Sequence, residues 1–462
     1  GIASNNSTDT LAIVNDVIIV TFTAIEAIGT KVVTFSSAGV AINASRVSYV
    51  NTTGNTWTAS YTAVGSDTDG AVTYSIVVGD LAGNPGVAVT TGTGSVTFDD
   101  TDPARTSVTV ASNNSLVTHA KSGNVVTVEL TTDVAVSQPV VVFKSGGAAL
   151  NNASGRVITY TNTNSPNKTE WSAAYTVDAA DTDGLVSFDI DFSDLAGNAA
   201  TTVTSVTDTS SVVVDTTAPT LTSVSIASDF DADNTQASVN HTIKIDFVSS
   251  ETIADPTADG AAADPADLVV TFMSGGVAIN ASRVSYTNVS DDKINWTAQY
   301  VAAPDDTDGA VSFTIAFNDI SGNAGTLVTA VTPPSSSVTF DKTVPTLSDV
   351  GIASSNSTDT LAIVGDKVTV TFTAIEAVGT KVVTFSSAGV AILASRVDYT
   401  STGNTHTAFY NTADSDLDGA VTYSIVVGDL AGNPGDPVTT GTGSVTFDNL
   451  LPDATSVTIA SN

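Results

Sequence analysis

One alternating stretch recurs four times, and this recurrence constrains the chain more than any other feature. Residues 70–84 read GAVTYSIVVGDLAGN; the stretch returns at 184–198 (GLVSFDIDFSDLAGN), 309–323 (GAVSFTIAFNDISGN) and 419–433 (GAVTYSIVVGDLAGN). An acidic loop precedes each copy: Asp67-Thr-Asp69, Asp181-Thr-Asp183, Asp306-Thr-Asp308 and Asp416-Leu-Asp418. Self-similarity of this kind marks a tandem array of like units. The spacing predicts repeats at 1–105, 106–220, 221–346 and 347–454, each of ordinary domain size. Residues 455–462 (TSVTIASN) repeat the opening of the second unit.

The fourth repeat nearly duplicates the first, while the second and third are distant relatives. The larger period therefore spans three domains, and the chain is expected to be a window on a longer array. The alternative gives the C-terminal stub a role of its own, supplying a strand to the next molecule by strand addition.

Within a repeat the period is two. At 367–374 (KVTVTFTA), Val368, Val370, Phe372 and Ala374 point one way and Lys367, Thr369, Thr371 and Thr373 the other. This is a half-buried strand. In the third repeat Ile243, Ile245 and Phe247 face inward. Another strand carries Trp57, Ala59 and Tyr61 on one face, with Trp171, Trp296 and His406 at the position of Trp57. The organising strand turns Val72, Tyr74, Ile76 and Val78 inward. Seven or so short strands per repeat, divided by Gly, Asn and Asp turns, predict an all-β fold of four antiparallel sandwiches. The insertion at 255–267 is expected to be a surface loop. At about 40 Å per domain, from strand length plus loops, the expected rod is roughly 160 Å long.

Composition narrows the function. The chain has 14 Lys and Arg against 48 Asp and Glu, a formal net charge of −34. Such a surface repels nucleic acid, whose phosphates need cations, and an anionic membrane. There are no cysteines, so neither disulfides nor thiol chemistry hold or serve these domains. No apolar run is long enough to span a membrane.

Three motifs in register carry a resemblance: the D-[LI]-[AS]-G-N turn, the D-x-D-G loop, and a boundary. That boundary reads FDDTDP at 98–103, VDTTAP at 214–219 and FDKTVP at 340–345; the fourth repeat departs with FDNLLP at 447–452. Over essentially its whole length the chain resembles the immunoglobulin-like tandem repeats of large bacterial and archaeal surface proteins, such as adhesin stalks, biofilm proteins and surface-layer proteins. The resemblance implies an extracellular, cell-surface structural role. It speaks for fold more than for function.

In such a topology the D-x-D-G loop lies at the exit end of a domain and the D-x-x-G-N turn at the entry end of the next. The two should meet at each junction with the boundary Asp, joined by the early loop that bears Asp133, Glu251 or Glu376. Calcium takes six to eight hard oxygen ligands, and like charges do not pack closely without a counter-ion. The expected Ca²⁺ ligands are Asp67, Asp69, Asp99 and Asp194 at the first junction. They are Asp181, Asp183, Asp215 and Asp319 at the second, and Asp306, Asp308, Asp341 and Asp429 at the third. The competing reading is turn chemistry alone: Gly accepts positive φ, and Asp bonds its own backbone.

Other features carry less. His119, His241 and His406 lie in different repeats without cysteine, so no zinc site is predicted. No Ser/His/Asp signature stands out, and no enzyme is predicted. The tryptophans read as core packing rather than a sugar platform. About a dozen N-x-S/T sequons occur, against about eight expected by chance in so Asn-, Ser- and Thr-rich a chain. Val17 and Ile19 replace Lys367 and Thr369 of the near-twin on the outward face, where an apolar pair marks either drift or a lateral contact. The reading is a spacer or assembly segment at the cell surface, with neighbouring copies or other surface proteins as partners. The alternatives are an array of carbohydrate- or partner-binding modules and a filament subunit joined by strand addition.

Overall fold

A computed structural model describes residues 1–150, 157–256 and 268–460. Most of the 255–267 insertion lies outside the described residues. The chain forms two compact units, residues 1–217 and 218–462, and each holds two sandwiches of one plan.

The first sandwich shows the plan. Its strands are β1 (Ile2–Ser4), β2 (Leu11–Ala12), β3 (Val17–Thr23), β4 (Ile28–Ser37), β5 (Val40–Ala41), β6 (Ser48–Thr53), β7 (Thr56–Thr62), β8 (Gly70–Asp80) and β9 (Val96–Phe98). One sheet has the order β1-β3-β7-β6 and the other β2-β9-β8-β4-β5. The same two orders recur in the other three sandwiches. This is the immunoglobulin-like arrangement that the sequence implies, with two differences. Each sandwich has nine strands among the described residues, because two-residue strands such as β2 and β5 are too short to show alternation. One pair is also parallel: Leu11 and Ala12 lie beside Thr97 and Phe98, because the chain crosses from one sheet to the other after β1.

Alternation builds the core. Val368, Val370, Phe372 and Ala374 are buried, while Lys367 is exposed and the three threonines between are half-buried. Ile243, Ile245 and Phe247 are likewise buried. Across the two sheets one aromatic pair recurs: Phe35 with Tyr61, Phe143 with Tyr175, Phe272 with Tyr300 and Phe385 with Tyr410. Their ring centroids are 4.8, 4.7, 4.9 and 4.9 Å apart. Tilted aromatic pairs add specific geometry to the area they bury, so these fix how one sheet sits on the other. Trp296 is buried in the core, but Trp57 and Trp171 are half-buried. Trp57 instead lies under the Lys31 ammonium, 3.9 Å from the ring centroid. Val17 and Ile19 point outward and are half-buried.

The organising strand is entered through a glycine in each repeat. Gly70, Gly184, Gly309 and Gly419 have φ of 141°, 138°, 137° and 147°. A Cβ on Gly70 would also come within 2.9 Å of the Ala38 side chain. Glycine is therefore required where the D-x-D-G loop becomes a strand. Among the described residues no helix is long and apolar enough to cross a membrane.

Candidate junction sites

The two aspartates of the D-x-D-G loop do different work. The first is committed within its own sandwich. Arg46 donates to both oxygens of Asp67, at 2.5 and 2.7 Å. Arg283 does the same to Asp306, and Arg396 to Asp416. The arginine ends a short 3₁₀ turn (Ala44–Arg46, Ala281–Arg283, Ala394–Arg396). Its second nitrogen reaches the carbonyl at the end of the neighbouring strand, Val301 in the third repeat. Burial opposes the charge on Asp67 and Asp306, but the guanidinium and a backbone N–H outweigh it and hold both carboxyls below their ordinary value. For Asp416 the arginine hydrogen bond is the leading cause. In the second repeat Asp181 is buried and accepts from the Asp178 N–H.

The second aspartate grips the boundary. Asp69 accepts from the Asp100 N–H at 2.8 Å and from Thr101 Oγ1 at 2.7 Å. Asp183 takes the Thr216 N–H and the Thr216 and Thr217 hydroxyls. Asp308 takes the Lys342 N–H and Thr343 Oγ1. These bonds explain the Thr of the boundary motif. In the fourth repeat, which lacks it, Asp418 still accepts from the Asn449 N–H at 2.6 Å.

The D-L-A-G-N turn closes on itself. Asp429 accepts from the Asn433 N–H at 2.8 Å and from its Nδ2 at 2.7 Å. Asp80 holds Asn84 with the same two distances, although Asn84 is exposed and Asn433 buried. The Asp–Asn pairing therefore forms whether or not another sandwich covers the turn. A further bond is added where the turn meets a preceding domain. Asn433 Nδ2 also donates to the Asp341 carbonyl, at 2.8 Å. In the first unit Asn198 Nδ2 donates to the Asp99 carbonyl at 3.0 Å, and Asn6 Nδ2 to the Ala196 carbonyl at 2.9 Å. Phe230 of the third sandwich packs against Gly432 of this turn, and Ile13 of the first against Gly197.

Carboxylates gather around that bond. In the second unit Asp341, Glu376 and Asp429 each offer an oxygen within 4.8 Å of the others, a grouping able to hold a metal ion. Asp429 is buried, the other two half-buried. Burial, then repulsion from Asp429 and Asp308, raises the Asp341 carboxyl above its ordinary value. Glu376 is raised by burial and by Asp341, Asp429 and Asp308. In the first unit burial and then Asp194, Asp69 and Asp100 raise Asp99, while Asp133 accepts from the Ala104 N–H. Of the residues expected at the third junction, Asp341 and Asp429 come together with Glu376. Asp308 acts on them as a neighbouring charge, and Asp306 is taken by Arg283. Of those expected at the first, Asp99, Asp194 and Asp69 interact, and Asp67 is taken by Arg46. Of the second set, Asp215 accepts from the Thr217 N–H within the first unit, and Asp319 is buried within the second. The arginine partners escaped sequence reading; the repeated Ala-Ser-Arg turn was their signal.

No protein-family model matches the sequence, and no curated protein is similar to it. Solved structures similar to the chain are tandem arrays of immunoglobulin-like domains. One is a tetra-tandem repeat from the extending region of a large adhesion protein, 17% identical, covering 97% of this chain and 99% of that one, with a TM-score of 0.35. Another is the I-band fragment I67–I69 of titin, 10% identical, covering 76% of this chain and all of that one, with a TM-score of 0.33.

Proposed function

We propose that the chain is a structural spacer segment of an extracellular surface protein, built of four domains at 1–105, 106–220, 221–346 and 347–454. Calcium at the junction within each unit stiffens it. The observation that carries this reading is the convergence of Asp341, Glu376 and Asp429 beside the bond that joins Asn433 to the Asp341 carbonyl. Three carboxylates at that separation repel one another. A divalent cation relieves the repulsion and draws one domain's boundary onto the next domain's turn. Asp308 and backbone carbonyls complete the oxygen supply. In the first unit Asp99 and Asp194, with Asp69 alongside, take the same role.

The test is small-angle scattering combined with thermal melting, in calcium and then in EDTA. Calcium is expected to raise the melting temperature and narrow the spread of dimensions. Unchanged melting and dimensions on chelation would remove calcium from the reading and leave the aspartates as turn chemistry. Growth of the particle with concentration would point instead to self-assembly.

A further inference from the structure

We infer that Asn43 and Asn280 are acceptor sites for an N-linked glycan, displayed at the same place on the first and third sandwiches. Both begin an N-A-S sequon, and sequons as such are common in this chain. Among the described residues, these are the two sequons whose own serine gives both its N–H and its hydroxyl to the asparagine carbonyl.

At Asn43 the side-chain carbonyl accepts from the Ser45 N–H at 3.0 Å and from the Ser45 hydroxyl at 2.9 Å. At Asn280 the same two bonds from Ser282 are again 3.0 and 2.9 Å. Both asparagines are exposed, and neither Nδ2 has a hydrogen-bond partner among the described residues. The carbonyl is thus fully occupied by the sequon's own serine, and the amide nitrogen faces solvent. Four other sequon asparagines spend that nitrogen elsewhere. Asn6 Nδ2 donates to Asp16 and to the Ala196 carbonyl, Asn51 to the Gly54 carbonyl, Asn295 to Asp292 and Asn356 to Asp366. At Asn5 and Asn113 the sequon serine bonds the intervening asparagine, Asn6 or Asn114, instead.

A simple capping role does not account for the motif. Asn43 and Asn280 do cap the 3₁₀ turns Ala44–Arg46 and Ala281–Arg283, with φ/ψ of −59°/124° and −59°/126°. Yet the fourth repeat makes the same turn, Ala394–Arg396, after Leu393, at −59°/132° with no side-chain cap. The fold does not require asparagine there. The turn is held from its other end, where Arg46 and Arg283 lock onto Asp67 and Asp306, so the acceptor stands on an anchored pedestal.

The chemistry fits the geometry. An amide nitrogen is a poor nucleophile because its lone pair is shared with the carbonyl. Two donors on Oδ1 draw charge to that oxygen and make an Nδ2 proton easier to lose. A transferase base takes that proton, and the nitrogen attacks the anomeric carbon of a glycan carried on a lipid phosphate or pyrophosphate. The new N–C bond replaces the C–O bond to phosphate, and the lipid phosphate leaves with its electron pair. No redox partner is needed. The product is a bulky, solvated surface group.

This inference rests on the extracellular reading above, since the chain must meet the transferase outside the cytoplasm. The experiment is peptide mapping by mass spectrometry of the chain isolated from its natural source, with labelling of intact cells by a membrane-impermeant amine reagent. The peptides containing Asn43 and Asn280 are expected to carry hexose- or hexosamine-containing increments. Asn43→Gln, Asn280→Gln, Ser45→Ala and Ser282→Ala should each lose the increment at their own site. Leu393→Asn should gain one in the fourth repeat, which reads out even if a loss variant misfolds. Unmodified Asn43 and Asn280 on a chain that intact cells expose to the label would overturn the inference and leave the surface reading standing. So would glycans found at other sequons alone. Unmodified peptides on a chain the label never reaches would overturn both.

Discussion

The Nδ2 of Asn433 donates to the Asp341 carbonyl at 2.8 Å while the same nitrogen donates to Asp429 at 2.7 Å. One buried amide thus closes its own turn and ties it to the boundary of the preceding domain. The turn at Asn84 has the same sequence and internal bonds but lies exposed. Asn433→Ala should therefore cost about 1–3 kcal/mol, because it strips a buried carbonyl and carboxylate of a donor, and Asn84→Ala should cost much less. Chemical denaturation of the two variants checks this. Equal costs would mean that the bond to Asp341 contributes nothing beyond the turn.

How much of this was legible beforehand follows from the range of each signal. Strands announce themselves by alternation, so Val368, Val370 and Phe372 could be placed inward from sequence alone. The D-x-D-G and D-x-x-G-N motifs sit at fixed offsets from a strand, so their ends of the domain followed from topology. Two-residue strands such as Leu11–Ala12 have no period to detect. The Arg46–Asp67 pair was hidden because its partners are 21 residues apart, and charge alone does not reveal which arginine folds over which acid. Reading Asp67 and Asp69 as equivalent ligands missed that Arg46 takes the first while the second holds the boundary.

That pairing yields a stability prediction. The Asp306 side chain is 4% exposed and that of Arg283 27%. Arg283→Ala would leave a buried carboxylate without its counter-charge, at a cost of about 3 kcal/mol. Arg283→Lys should recover only part, because lysine cannot match the two-pronged geometry. Urea melts of the three proteins measure this. The pair also sets an acid limit. Asp416, held below its ordinary value first by the Arg396 hydrogen bond, stabilises the fold above the unfolded carboxyl value of about 4. That contribution is lost as pH falls through its lower folded value.

His406 makes the fourth sandwich sensitive at milder pH. It is buried where the other repeats carry tryptophan, with Nδ1 2.7 Å from Ser401 Oγ and its ring against Phe372. Burial, then the Lys381 charge, lowers its pKa. The neutral form is favoured in the fold, so its contribution is complete above the unfolded value of about 6.5 and falls as pH drops through the folded value. Hydrogen exchange of Thr405–Asn411, corrected for intrinsic rate, should show opening increase across this window. The dependence should vanish in His406→Trp, and its persistence there would assign it elsewhere.

The junction carboxylates carry the opposite sign. Burial and mutual repulsion raise Asp341 and Glu376. In the fold they bind protons that the unfolded chain has already released, so without metal the junction is most stable below their unfolded values of about 4. It weakens as pH rises through the folded ones. In EDTA, and in a His406→Trp background that removes the histidine's contribution, the bond from Asn433 to Asp341 should open more readily as pH rises toward 7. Exchange at the Asn433 turn reports this. Calcium should abolish the trend at neutral pH, because a cation replaces the protons that acid supplies. Glu376→Gln should flatten the profile in EDTA and weaken the response to calcium together. If it flattened the first without touching the second, the three carboxylates would be a repulsive cluster with no part in holding the ion.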